Sequence, residues 1–339
     1  MVKYAFWNNK GGTGKTSLAF QAIARYAELH QGRRILVIDV CPQANLSELF
    51  LGGLTNNGGA QLLQQQGRVP RCSIGGYFQI RLPSPYAIPA FNPHDFIMQP
   101  SAHNPAIPAN ISLVCGDPLL ELQSNAINTL SNAQIPGTDT WVAVVSWIKD
   151  FLNLIANDFD AIFIDCNPSF SLYTQIALAA SERLVLPVMA DDSSRRAVQN
   201  ALSLVYGLSL PSPIYATYAF STKLQNAGQP LPQVHLIAKN RITQYMGPAS
   251  AYYAVLTQID NDITRLIATH PQHFTFNAIA NGTVEIRDFQ TTGVVAFAKG
   301  LPFSRLPVGK QSIGGHRVQV RADYRQNSID AINDLVAKL

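Results

Sequence analysis

The sequence has few charged residues, few cysteines and no long apolar run. Charged side chains make up 14% of its 339 residues and hydrophobic ones 47%, whereas globular proteins usually carry about 25% charged residues. This composition excludes a disordered chain, because so many apolar residues can form a sizeable core. No apolar stretch approaches the roughly 18 residues that a membrane-spanning helix needs, so we expect a cytoplasmic protein.

The four cysteines are widely spaced, at Cys41, Cys72, Cys115 and Cys166. They form no C-x-x-C pair and have no histidine at the spacing of a zinc site. We therefore expect reduced thiols without a disulfide framework. The spacing also does not suggest an iron–sulfur cluster.

The formal net charge of +4 is too small to indicate a nucleic-acid partner by itself. Its distribution is uneven, because residues 299–339 hold seven basic and three acidic side chains while the charges of residues 1–298 balance. The chain therefore ends in a basic segment at about residues 289–339. Its acid-free part, residues 289–322, carries Lys299, Arg305, Lys310, Arg317 and Arg321.

Short apolar runs alternate with helix-length stretches along most of the chain. This alternation predicts an α/β fold with a mostly parallel, twisted sheet and helices on both of its faces. The apolar run at residues 35–38 is typical of a strand that is covered on both sides. The predicted strands are 3–8, 34–39, 111–114, 161–165, 183–188 and 233–239, and the predicted helices are 15–30, 141–157, 172–181, 195–206, 249–269 and 324–339.

Residues 55–110 interrupt this alternation. The stretch is rich in proline, asparagine and glutamine, and its one acidic residue is Asp95. Because proline fixes φ and removes a backbone donor, we predict a long insertion of loops and short elements. It could dock a partner or be merely a surface loop, and the second interpretation is favoured because loops vary without a functional reason in most proteins.

A glycine-rich loop follows the first predicted strand, where residues 9–16 read NKGGTGKT before an apolar helical stretch. Glycines let backbone N–H groups point at phosphate oxygens, and the helix N-terminus adds its positive end. Lys15 would then reach the β- and γ-phosphates, and the Thr16 hydroxyl would bind Mg²⁺. The candidate nucleotide-binding residues of this loop are Lys10, Gly11, Gly12, Thr13, Gly14, Lys15, Thr16 and Ser17.

The loop departs from the usual pattern G-x-x-x-x-G-K-S/T, because Asn9 stands where the first glycine belongs and Lys10 adds a second lysine. In this it resembles the ParA/MinD ATPases, which carry a deviant Walker A box. The stretch DVCPQAN from Asp39 is similar to the family's D-x-D-P-Q segment, and FDAIFID, ending at Asp165, is similar to its Walker B strand. Asn240-Arg241 and the segments 284–288 and 296–302 also resemble family segments, so the likeness spans nearly the whole chain.

The resemblance implies a P-loop NTPase fold in a single domain, residues 1–339, with ATP and Mg²⁺ as cofactors. In this family two protomers enclose two ATP molecules, and the first lysine of the loop, here Lys10, crosses to the partner's nucleotide. Asn240, next to Arg241, would read the adenine, and both residues join the candidate cofactor-binding set. The resemblance places Lys10, Lys15 and Asp39 in the catalytic set.

The two aspartates at strand ends are candidate metal residues. The resemblance implies that Asp39 is a direct or indirect Mg²⁺ ligand and that Asp165 holds the metal through water. Mg²⁺ usually keeps several waters beside one or two carboxylates, which is consistent with this assignment. With the hydroxyl of Thr16, the candidate metal set is Thr16, Asp39 and Asp165.

The chain differs from the family at Cys41, where the family has a carboxylate that orients the attacking water. A neutral thiol is a weak hydrogen-bond partner, and a thiolate would be repelled by a triphosphate. Hydrolysis would therefore be slow, or another carboxylate such as Asp191 or Asp192 would replace the missing one. The alternative is that Cys41 is a small buried side chain without effect on catalysis.

The resemblance implies a cytoplasmic, nucleoid-associated ATPase that dimerises on ATP, binds DNA without sequence preference and positions a cargo. The cargo could be a plasmid, a chromosome or a protein body such as a carboxysome, with a ParB-like or other adaptor that stimulates hydrolysis. Scattered basic residues at 289–339 would suffice for non-specific DNA binding.

Two other functions remain open. The first is a MinD-like ATPase at a membrane surface, which should end in a basic amphipathic helix; the acids Asp323, Asp330 and Asp334 argue against it, and we expect no membrane partner. The second is a metabolic P-loop enzyme of the same superfamily.

Overall fold

The computed structural model describes residues 1–189, 191–242 and 249–339. In these residues the main sheet consists of β1 (Val2–Phe6), β2 (Ile35–Val40), β3 (Ile111–Val114), β4 (Ala161–Cys166), β5 (Arg183–Met189), β6 (Gln233–Ile242) and β7 (Thr283–Arg287). All neighbouring strands pair in parallel, in the order β3-β2-β4-β1-β5-β6-β7. The predicted α/β fold with a parallel sheet is confirmed.

Helices connect the strands and cover the sheet. They are α1 (Lys15–Leu29), α2 (Asn45–Phe50), α3 (Gly58–Gln66), α4 (Ile74–Arg81), α5 (Leu119–Ser131), α6 (Thr140–Val145), α7 (Trp147–Leu154), α8 (Leu172–Ala179), α9 (Asp192–Tyr206), α10 (Phe220–Asn226), α11 (Ala249–Thr269), α12 (Ile279–Gly282), α13 (Gln290–Lys299) and α14 (Ala322–Val336). A separate antiparallel hairpin, β8 (Gly309–Ile313) and β9 (His316–Val320), lies between α13 and α14 in the chain.

The core lies on both faces of the sheet. Side chains alternate between the two faces of a strand, and in β2 the residues Leu36 and Ile38 belong to one buried cluster while Ile35 and Val37 belong to the other. Each cluster is completed by helices. This arrangement explains why β2 reads as a continuous apolar run.

The prediction of a single helix at residues 141–157 is wrong. The chain forms α6 and α7 there, with Ser146 between them at φ −84° and ψ −1°. The hydroxyl of Ser146 donates to the carbonyl of Val142 at 2.8 Å, and such back-bonding commonly bends helices. The apolar periodicity of the sequence continues across this bend, so it did not indicate that two helices meet there.

The proline-rich stretch at residues 55–110 is more than a surface loop. It contains α3, α4 and short 3₁₀ turns at Pro93–Phe96 and Pro100–Ala102. Tyr77 and Phe78 of α4 are fully buried in the core. The surface-loop interpretation is therefore wrong for α4, which packs as an integral part of one sheet face.

The C-terminal helix packs an apolar stripe on the domain. Ile332, Leu335 and Val336 of α14 are buried in the cluster that covers α1 and the sheet. In the part of the chain that the structure describes, no helix is both long enough and apolar enough to cross a bilayer.

Candidate nucleotide site

The glycine-rich loop lies at the carboxyl ends of the central strands, between the end of β1 and the start of α1. Strand β4 separates β1 from β2, so Asp165 is in register with both Phe6 and Asp39. Ligands of open α/β sheets bind at this edge. The sheet order thus brings together residues from three distant parts of the sequence.

Two glycines of the loop adopt backbone angles that other residues rarely tolerate. Gly12 and Gly14 have φ values of 76° and 75°, in the left-handed region where a Cβ is unfavourable. A Cβ at Gly12 would meet no atom within 4 Å, whereas one at Gly14 would lie 2.4 Å from Nδ2 of Asn240. The loop is therefore closed against β6 at Gly14 and faces open space at Gly12.

Beside the loop is a cavity of about 250 Å³. Its lining includes every predicted residue of the loop together with Arg241, and five further residues that lie just beyond β2 and β4. The lining residues are Lys10, Gly11, Gly12, Thr13, Gly14, Lys15, Thr16, Ser17, Cys41, Gln43, Asn45, Asn167, Pro168 and Arg241.

Lys15 and Thr16 both contact Asp165 at the bottom of this cavity. The Lys15 ammonium forms an ion pair with Oδ1 of Asp165, and the Thr16 hydroxyl donates to Oδ2 at 2.9 Å. Burial alone would lower the pKa of Lys15, but the Asp165 carboxylate outweighs it, and the pKa is raised above its usual value. The lysine is therefore fully charged where a phosphate would lie.

Asp39 lies behind the cavity and is fully buried. Its carboxylate accepts hydrogen bonds from the backbone N–H and the hydroxyl of Ser47, at 2.9 and 2.8 Å, and from the N–H of Cys41 at 3.2 Å. Burial and the nearby charge of Asp165 raise the pKa of Asp39 to about 7, although the Ser47 hydrogen bonds lower it. In this structure the carboxylate holds α2 against the end of β2 and does not line the cavity.

Cys41 lines the cavity, and its Sγ lies 3.7 Å from Oδ1 of Asn167. Burial, followed by the charges of Asp39 and Asp165, raises the pKa of the thiol to about 12. The thiol is therefore neutral at physiological pH and offers the cavity only a weak donor.

Lys10 is at the rim of the cavity and pairs with Asp191. Its Nζ lies 2.7 Å from both carboxylate oxygens of Asp191 and 3.1 Å from Oγ of Ser194. Burial would raise the pKa of Asp191, but hydrogen bonds from Lys10, Ser193 and Ser194 lower it to about 2. Asp191 also caps α9 by accepting from the N–H of Ser194. The side chain of Asp192, the other candidate carboxylate, lies outside the described structure.

Asn240 supports the loop from β6. Its Nδ2 donates to the carbonyl of Thr13 at 2.8 Å, and its Oδ1 accepts from the N–H of Arg241 at 2.9 Å. Arg241 has a φ of 58° and lines the cavity. Asn240 itself is buried and does not line the cavity, so an adenine contact remains a prediction.

The residues present fit a magnesium–triphosphate. Open space at Gly11 and Gly12, a buried charged lysine and a helix N-terminus together suit phosphate oxygens. The described residues contain no cluster of three or more His, Cys, Asp or Glu side chains that could hold a metal. Mg²⁺ needs no such cluster, because one or two carboxylates with substrate phosphates and water suffice, and Thr16 with Asp165 supplies the protein part.

Sequence reasoning missed two asparagines of the site, one that holds the loop and one that lines the cavity. Asn8 is buried, donates through Nδ2 to the carbonyl of Pro187 at 2.7 Å and accepts from the N–H of Lys10 at 3.0 Å. Asn167, at the end of β4, donates to the hydroxyl of Tyr173 at 3.0 Å and lines the cavity. A polar residue that ends an apolar run was the signal available for both.

Residues 1–209 of the chain match a family model described as AAA domain, AAA_31. This is more than half of the chain, and it contains the glycine-rich loop and the strands that carry Asp39 and Asp165. The chain belongs to the ParA/MinD family of ATPases.

Named relatives agree with membership of the ParA/MinD family. The sporulation initiation inhibitor protein Soj of Bacillus subtilis is 27% identical over 202 residues, which is 59% of this chain and 63% of Soj. Another curated relative, from Rhizobium rhizogenes, is 27% identical over 53% of this chain and 38% of its own length. The chain thus matches less than two thirds of the length of these relatives.

Solved structures of ParA/MinD-type proteins share the fold. Apo McdA of Cyanothece has a TM-score of 0.60 with 15% identity, and the alignment covers 98% of each chain. The protein pNOB8 ParA, solved bound to nonspecific DNA, has a TM-score of 0.50 with 17% identity over 85% of this chain and 87% of its own. At such identities the likeness shows the fold alone.

Proposed function

We propose that this chain is a ParA-like ATPase that binds Mg²⁺-ATP and dimerises around two nucleotides. The ATP-bound dimer binds DNA without sequence preference and positions a cargo, such as a plasmid, a chromosome or a protein body. A ParB-like or other adaptor stimulates hydrolysis. The proposal places the protein in the cytoplasm, associated with the nucleoid.

The observation that carries this proposal is the position of the two lysines of the loop. Lys15 is buried against Asp165 inside the cavity, whereas the side chain of Lys10 is 25% exposed at its rim. One protomer needs a single lysine at the phosphates, and Lys15 supplies it. A second lysine at the rim suits a nucleotide that is shared between two protomers.

The proposed chemistry is phosphoryl transfer to water, which depends mainly on positioning and electrostatic stabilisation. When bound, Mg²⁺ would neutralise part of the negative charge of the phosphates. Lys15 and the N–H groups of Gly11–Gly14 would oppose the negative charge of the phosphates, and Thr16 and Asp165 would hold the metal. Asp39 would fix α2, and with it the cavity wall at Asn45.

Hydrolysis without an adaptor is proposed to be slow. The neutral thiol of Cys41 can neither accept a proton at neutral pH nor orient water as a carboxylate does. Asp191 is an unsuitable replacement in the free protomer, because its carboxylate is engaged by Lys10 and by the N-terminus of α9.

The related proteins support the DNA part of the proposal and give no support to a membrane role. One structural neighbour, pNOB8 ParA, is bound to nonspecific DNA. A MinD-like membrane function would require α14 to offer its apolar stripe to lipid, but Ile332, Leu335 and Val336 are buried in the domain. A metabolic P-loop enzyme, the other alternative, would share the glycine-rich loop but would not bind DNA.

One experiment tests the proposed function. The protein is incubated with ATP, ADP or no nucleotide in the presence of Mg²⁺, and its size and its retention on a DNA of arbitrary sequence are measured. We expect a dimer that is retained on DNA only with ATP, and release when the salt concentration rises. A monomer in all three conditions, or ATP turnover without DNA retention, would contradict the proposal.

A further inference from the structure

The hairpin formed by β8 and β9 has two different faces. Its strands pair from Gly309 with Val320 to Ile313 with His316, and Gly314 and Gly315 form the turn with positive φ values of 55° and 84°. Directly paired residues of an antiparallel ribbon lie on the same face, and the faces alternate along each strand. The inner face carries the apolar side chains, with Val320 buried and Ile313 and Val318 packed against the core.

The outer face of the hairpin is entirely polar. It consists of two cross-strand pairs, Lys310 with Gln319 and Ser312 with Arg317, and all four side chains are exposed. Lys310 and Arg317 stand diagonally across the ribbon, at a spacing of about 7–8 Å for such neighbours. The face therefore presents two cations with a hydroxyl and an amide between them.

The two cations of this outer face are not neutralised. In residues 1–189, 191–242 and 249–339, neither Lys310 nor Arg317 has an ion-pair partner. Two other basic residues of the segment do have an acidic partner: Arg321 pairs with Asp323 at 2.7 Å, and Arg305 lies 3.7 Å from Glu28.

The hairpin is fixed to the domain. Gln311, on its inner face, accepts a hydrogen bond from Lys299 at the end of α13 at 3.0 Å. The same end of α13 receives hydrogen bonds from Thr55 N–H at 2.8 Å and from the Asn56 amide at 2.7 Å. A surface that is already ordered loses little conformational entropy when it binds.

We propose that the outer face of the β8–β9 hairpin, Lys310, Ser312, Arg317 and Gln319, is a contact surface for the phosphates of duplex DNA. Lysine, arginine, serine and glutamine are side chains that contact DNA phosphates. A membrane-surface element would need apolar side chains beside the cations, and this face has none. The inference rests on the proposed function and assigns its DNA contact to one element.

The test is DNA binding by the double variant Lys310→Gln/Arg317→Gln. Binding of a fluorescent duplex of arbitrary sequence is measured by anisotropy with ATP and Mg²⁺ at several salt concentrations. We expect an affinity loss of about tenfold or more, and a decrease in the slope of log K against log salt of about 0.9 for each lost phosphate contact. The matched control is Arg34→Gln/Arg68→Gln, which removes two exposed arginines elsewhere and should bind DNA as the unaltered protein does.

Two further measurements make the outcome decisive. The exchange variant Lys310→Arg/Arg317→Lys keeps both charges and should keep the affinity, and an unchanged melting temperature of the Gln variant shows that it is folded. If the unaltered protein binds DNA and the Gln variant binds equally, the hairpin is not the contact and the proposed function stands. If the unaltered protein forms an ATP dimer without DNA affinity, or binds phosphatidylglycerol vesicles through this hairpin instead, the DNA contact is overturned.

Discussion

Cys41 has a neighbourhood that is unusual for a thiol. Two carboxylates, those of Asp39 and Asp165, lie close enough to contribute to its raised pKa of about 12. Cys41 also lines the cavity in contact with Asn167, so under the proposed function its side chain would be near the attacking water. The side chain at position 41 therefore decides whether this part of the cavity has a base.

The substitution Cys41→Asp should raise ATP turnover several-fold, because it supplies a carboxylate that can orient water. Asp39 and Asp165 would raise the pKa of the new carboxyl above its usual value, as they do for the thiol. Since a base works in its deprotonated form, turnover of the variant should increase with pH through that raised pKa. Steady-state turnover against pH, for the variant and the unaltered protein, measures both effects.

The variant Cys41→Ser is the control for this prediction. Serine keeps the size of the side chain but supplies no base, so its turnover should stay near that of the unaltered protein at every pH. A Cys41→Asp turnover that is unchanged or lower would show that position 41 does not limit hydrolysis.

At the residue scale, the sequence predicted the parts of the site that are contiguous in the chain. Lys10 to Ser17 line the cavity together because they form one loop and one helix turn. The contact between Lys10 and Asp191 joins residues 181 positions apart and depends on β5 lying next to β1. Only the sheet order supplies that information, and a one-dimensional pattern does not contain it.

At the scale of elements, buried strands were predictable and exposed ones were not. β2 reads as an apolar run because both of its faces are covered, whereas β7 at the sheet edge alternates buried and exposed residues over five positions. The hairpin β8–β9 was also missed, although Gly314-Gly315 is a known signal for a two-residue turn. α4 was missed because its neighbouring prolines suggested loops.

The burial of α4 leads to a prediction about stability. Phe78 is fully buried and packs edge-on against Trp147, with ring centroids 5.3 Å apart. The substitution Phe78→Ala should therefore reduce the free energy of unfolding by about 3–5 kcal/mol, as expected for a truncated core phenylalanine. Urea unfolding at equilibrium measures the change.

Leu63 provides a control for this prediction within the same segment. Its side chain in α3 is 69% exposed, so Leu63→Ala should change stability by no more than about 0.5 kcal/mol. Equal, small effects of the two substitutions would mean that α4 packs loosely against the core.

For the whole molecule, the proposed function assigns different tasks to the two lysines of the loop. Lys15 is buried with Asp165 and belongs to the interior of one protomer. Lys10 is held at the surface by Asp191, whose side chain is 40% exposed, and such an exposed pair contributes about 0–1 kcal/mol to stability. Lys10 can therefore exchange its ion pair with Asp191 for a different contact at a small cost in stability.

Replacing each lysine by alanine should separate nucleotide binding from dimerisation. Lys10→Ala should retain ATP binding and lose the ATP-dependent dimer, because the charge removed lies at the rim and leaves the interior intact. Lys15→Ala should lose ATP binding, dimerisation and turnover, and should lower stability by about 3–5 kcal/mol, because Asp165 is left buried without its cationic partner. Sedimentation velocity with ATP, a fluorescent ATP analogue and urea unfolding measure the three quantities. A Lys10→Ala variant that dimerises with ATP as tightly as the unaltered protein would show that the second lysine does not act between protomers.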